Sequence, residues 1–75
     1  MTESEMDALV ARLVPEYEVS KLKAVIARQD FLVIAASQNV DRRSVTDARE
    51  RWQELEDHCA AILHRIDTLA EASAA

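Results

Sequence analysis

Glycine is absent from this 75-residue chain, and proline and cysteine occur once each. Without glycine no turn has a residue that enters left-handed backbone freely, so any link must turn on other residues. The lone Cys59 excludes an internal disulfide framework and fits a reducing compartment. Trp, Tyr and Phe also occur once each, so any core must be mainly aliphatic. Long hydrophobic runs are missing too: the longest, Phe31 to Ala36, has six residues against the roughly 20 needed to span a bilayer. The segment Met1 to Asp7 is acidic and lacks the basic start of a signal peptide, so a cytoplasmic protein without a membrane partner is expected. A formal net charge of −5 repels nucleic acid and anionic lipid.

What is present favours helices. Hydrophobic residues make up 49% and charged residues 31%, with Ala, Leu, Glu, Arg and Asp prominent. The length allows one helical domain, 1–75, whose own core would be thin. Small scaffolds of this kind are usually completed by disulfides, a metal or oligomerisation. With one cysteine and no Cys/His cluster at zinc spacing, oligomerisation is the expected device; no metal or cofactor is expected.

The second half carries the clearest pattern. Val45, Ala48, Trp52, Leu55, Cys59, Ile62, Ile66 and Leu69 are spaced 3-4-3-4-3-4-3, a heptad seam that ends where Ser73 takes the next position. Asp47, Arg49, Glu50, Arg51, Glu54, Glu56, Asp57, Arg65 and Asp67 fill the remaining faces with charge. Ser44 with Asp47 resembles a capping box, so a helix is expected over 45–72, with a frayed tail at 73–75.

In the first half, Val19, Leu22, Ile26, Gln29, Val33, Ala36 and Val40 form a second 3-4 stripe, widened by Val25 and Leu32. Pro15 suits the first position of a helix and not its interior, which predicts a helix over 15–38 and a break at Val14. A short helix over 2–14 precedes it, opened by the Thr2/Glu5 capping box. The link 38–44 must turn without glycine, and Asn39 is the candidate for a left-handed cap with Val40 packing behind it.

These elements predict an all-α fold: an antiparallel helical hairpin with a short N-terminal helix. Phe31 to Ala36 is apolar around most of the helix, more than one facing helix can cover. Two hairpins pairing into a four-helix-bundle-type homodimer would cover it. The residues expected at that interface, or against another protein, are Phe31, Leu32, Ile34, Trp52, Leu55, Ile62 and Ile66.

Other candidate sites give weaker signals. His58 and His64 are six apart and lie on different helix faces, and Glu54 with His58 reads as a surface pair. Cys59 sits on the seam as a small apolar residue. Arg42, Arg43, Arg49 and Arg51 gather near the start of the last helix, a candidate polar docking patch for an acidic surface, a phosphate or, through Arg42 and Arg43, nucleic acid. Acidic Asp41, Asp47 and Glu50 interleave with it.

Ser37-Gln38-Asn39-Val40-Asp41 resembles the S-Q-x-L-D core of the small helical-hairpin phosphatases that act on sporulation response regulators. Val33 and Ile34 stand where that family has aliphatic residues, whereas Ser44 replaces an expected aliphatic one. The resemblance implies a modulator of a response regulator acting through Gln38 and Asp41. The residues themselves favour a non-enzymatic module that binds and regulates a larger protein as inhibitor, adaptor or chaperone.

Overall fold

Thr2 begins the structured chain as a helix cap. Its hydroxyl accepts the Glu5 N–H at 3.2 Å, and its own N–H donates to the Glu5 carboxylate at 3.2 Å, the reciprocal box expected of T-x-x-E. From there α1 runs over Glu3–Ala36, and α2 over Arg42–Ala74. The computed structural model describes residues 2–37 and 39–74. It is all-helical, and its two helices pack side by side as a hairpin 56 Å long and 15 × 13 Å across.

Three local expectations are corrected. The first concerns Pro15. There is no separate short helix over 2–14 and no break at Val14: α1 passes through Pro15 without interruption. The proline removes one N–H, whose partner would be the carbonyl of Ala11. Ala11 and Pro15 are both exposed, so water can reach the freed carbonyl. The inward row Met6, Val10, Leu13, Tyr17, Ser20 keeps its 3–4 spacing across the proline, and packing on α2 holds both halves in line.

The second correction concerns the turn. Helix α1 ends at Ala36 and not at 38. Among the described residues none has positive φ, and the left-handed cap expected at Asn39 depends on the Gln38–Asn39 peptide, which lies outside the described residues. Ser37 ends α1 in an extended conformation (φ −73°, ψ 136°); its N–H donates to the Ile34 carbonyl at 3.1 Å and its hydroxyl to the Val33 carbonyl at 3.0 Å. Gln38, the expected end of the first long helix, lies outside the described residues.

The third concerns the start of α2. Asp41, not Ser44, caps it: the Asp41 carboxylate accepts the Ser44 N–H at 2.7 Å. The helix therefore opens at Arg42 and not at 45, and it continues through Ser73 and Ala74 where fraying was expected. Thr46 adds a hydroxyl bond to the Arg42 carbonyl at 3.0 Å.

The core is the α1–α2 seam. From α2 it takes Val45, Ala48, Trp52, Leu55, Cys59, Ile62, Ile66 and Leu69, the eight positions of the heptad, all buried or half-buried. From α1 it takes larger side chains near the ends, Leu13 and Tyr17 on one side and Phe31 and Ile34 on the other. Small Ser20, Ala24 and Ala27 occupy the middle. Phe31 stacks on Trp52 with ring centroids 5.7 Å apart and planes 20° apart, which fixes the register near the turn. The Trp52 indole N–H donates to Glu56 at 3.1 Å, so the ring is packed at one end and satisfied at the other. The core is thin: among the described residues no large side chain is fully buried.

Candidate helix-docking surface

The stripe Val19, Leu22, Ile26, Gln29, Val33 and Ala36 does not enter that seam. It lies on the opposite side of α1, because the inward row runs through Tyr17, Ser20, Ala24, Ala27 and Phe31, about half a turn around the helix. Leu22 is 61%, Val33 68% and Ile26 54% exposed, values that core residues of their size do not show. Val25 and Leu32 border the stripe and are also exposed. Thus α1 has two apolar faces: one turned to α2, small at its middle and larger toward its ends, and one of large aliphatic residues turned to solvent.

The reason is steric. The α2 seam brings bulky Leu55 and Ile62 to the middle of the hairpin. Small Ser20, Ala24 and Ala27 let the backbones approach around them, and Ala24 is only 2% exposed. A row of Leu22 and Ile26 in the same place would set large side chains against large ones and hold the helices apart.

A furrow runs between the free stripe and α2. Its broader part encloses about 470 Å³ between Lys23, Ile26, Ala27 and Asp30 of α1 and Arg51, Glu54 and Leu55 of α2. A second stretch of about 330 Å³ adjoins it through Ala27, Asp30 and Arg51 and reaches Ser44 and Asp47. Both are open and lined by charges of each sign, a border to the apolar stripe and not an enclosed ligand cavity.

Of the residues expected at an interface with another chain, Phe31, Ile34, Trp52, Leu55, Ile62 and Ile66 lie on the seam within the hairpin. Only Leu32 lies on the free side of α1. Val19, Leu22, Ile26 and Val33 were absent from that set, although their spacing marked them as an apolar stripe. Spacing marks both apolar faces of α1 alike, and the fit to α2 decides which of them turns inward.

The basic residues do not form one patch. Arg42 and Arg43 sit in the first turn of α2, and all four arginines are exposed. Arg49 and Arg51 are two residues apart, hence about 200° apart around the helix, and only Arg51 reaches the furrow. Asp41 is exposed; the Ser44 backbone N–H and hydroxyl, with a smaller part from the Arg43 N–H, hold its carboxyl below the usual carboxylate range. Ser37 and Asp41 thus act as caps on either side of the turn, and Gln38 lies outside the described residues. His58 and His64 are exposed and Cys59 is buried. Among the described residues no group of three His, Cys, Asp or Glu is placed to hold a metal ion, and no helix is long and apolar enough to cross a membrane.

Comparison with family models, with curated proteins and with solved structures gives no match.

Proposed function

We propose that the chain is a non-enzymatic interaction module that binds and regulates a larger protein by docking helix against helix. We further propose that two hairpins pair through the same face into a four-helix-bundle-type homodimer, so that self-pairing and target binding compete. The observation that carries both is the heptad-spaced stripe Val19, Leu22, Ile26 and Val33, apolar and open to solvent on the back of α1. A contiguous aliphatic row is costly to leave in water, and its 3–4 spacing suits the groove of another helix better than a flat surface.

The test uses Leu22→Asp/Ile26→Asp, a double substitution at positions that are exposed in the single hairpin. The variant is expected to keep the helical circular dichroism of the parent and to lose the proteins that the parent retains from an extract of its source cell. An identical retained set for parent and variant would end the docking reading.

A further inference from the structure

We infer that the first occupant of this face is a second copy of the chain, with the two α1 helices antiparallel and in one register. Ile26 of each copy lies opposite the partner's Gln29, and Lys23 of each lies beside the partner's Asp30. The inference rests on the docking and self-pairing readings above and adds to them the orientation, the register and the residue pairs that fix both.

Surface area argues for an occupant of this size. The chain exposes 5893 Å², whereas a compact monomer of 8.4 kDa would expose about 4,600 Å². The excess, on the order of 1,300 Å², comes with the elongated shape of the hairpin, 56 × 15 × 13 Å, and leaves room for the roughly 800 Å² that each partner gives to a stable interface.

The stripe itself argues for a helix of like kind. Val19, Ile26 and Val33 alternate with Leu22, Gln29 and Ala36, so branched side chains hold one row and Leu22 begins the other. A row with this 3–4 spacing can set its side chains into the holes of a facing helix, and a polar residue within such a seam sets register at some cost in stability.

The flanks decide the orientation. On the furrow side of the stripe stand Glu16, Lys23 and Asp30; on the other stand Glu18, Val25 and Leu32. A parallel pair sets one flank of a helix against the opposite flank of its partner, which would put Val25 beside the partner's Asp30. An antiparallel pair sets like flank against like flank. With Ile26 opposite the partner's Gln29, Lys23 then meets the partner's Asp30 twice, and Val25 meets the partner's Leu32 twice. Sliding the helices by one heptad in either direction brings Lys23 against the partner's Lys23, or Asp30 against the partner's Asp30. Like charges across a helix pair are unfavourable, so one antiparallel register is selected.

Lys23 and Asp30 also border Arg51 and Glu54 across the furrow, so a charge change in α1 alters the hairpin as well as the dimer. The test separates the two. Lys23→Glu and Asp30→Lys, made singly, are each expected to weaken self-association about tenfold in sedimentation equilibrium, since two attractive contacts become two repulsive ones. An equimolar mixture of the two variants should form a heterodimer as tight as the parent dimer. Within that heterodimer the two substituted positions face each other with opposite charges, and the native Asp30 of one chain faces the native Lys23 of the other. An effect confined to each hairpin cannot be repaired by mixing.

Three results would overturn the inference. One is a mixture that associates no better than either variant alone. Another is an Asp30→Lys variant that dimerises like the parent, as a parallel pair with Lys23 beside the partner's Glu18 requires. The third is a parent chain that stays monomeric at millimolar concentration; this last would remove the second copy while leaving the docking reading to the capture comparison above.

Discussion

The two helices are almost equal in length, 34 and 33 residues, yet they distribute apolar side chains differently. On α2 the large apolar residues gather in one stripe against α1, and apart from Leu63 the rest of its surface is charged, polar or alanine. On α1 they occupy two opposite faces, and the bulkier aliphatic face is the outer one. A helix with one apolar stripe is satisfied by one neighbour; a helix with two calls for a second. The hairpin therefore covers the apolar stripe of α2 and leaves one apolar face of α1 open to solvent.

Substitutions at matched places on the two helices would break this contrast most sharply. Ile62→Asp puts a charge into the seam and should cost more than about 3 kcal/mol, abolishing the cooperative thermal transition followed by circular dichroism. Leu22→Asp, on the free face of α1, should change the stability of the isolated hairpin by less than about 0.5 kcal/mol while removing self-association. Equal damage from both would mean that the outer stripe belongs to the core.

Next in size is Phe31→Ala, which removes the ring stacked on Trp52. A loss of about 2–3 kcal/mol is expected in urea titration, with Trp52 emission shifting to the red as water reaches the indole. Unmoved emission would contradict the stacking.

Pro15→Ala should act in the opposite direction. Restoring an N–H in the middle of α1 is expected to raise stability by about 1–3 kcal/mol, read as a higher urea midpoint. A loss of stability would show that the proline shapes the packing of the two halves of α1 on α2.

The smallest effect belongs to Asp41→Ala at the α2 cap. The folded carboxyl titrates below its ordinary value of 3.8, so its contribution is fully present above that pH. It fades as the pH falls through the depressed folded value, because protonation removes the charged acceptor of the Ser44 N–H. Parent and variant should differ slightly in thermal midpoint at neutral pH and converge in acid. A difference that persists undiminished to about pH 2 would place the effect elsewhere than in the charged cap.

Much of the fold is legible in the residues. The Thr2/Glu5 box, the eight seam positions of α2 and the turn between two long helices follow from local chemistry and spacing alone. The continuity of α1 through Pro15 does not, since proline is locally unfavourable and only contact with α2 along the whole inner row outweighs it. Ser44 and Asp41 are both good caps by residue type, and where the turn releases the chain decides for Asp41. The outer stripe of α1 is half legible: its spacing can be read from the residues, but its outward direction cannot.

What the sequence by itself determined is therefore the helicity of the chain and the inner face of α2, because α2 has a single apolar stripe and so a single way to bury it. Which face of α1 turns inward was decided only by the tertiary structure. Hydrophobicity alone favours the row of Val19, Leu22, Ile26 and Val33. The fold takes the row of Ser20, Ala24 and Ala27, because small side chains let α1 close on Leu55, Cys59 and Ile62. Fit of this kind is a property of two surfaces together, and no pattern along one helix contains it.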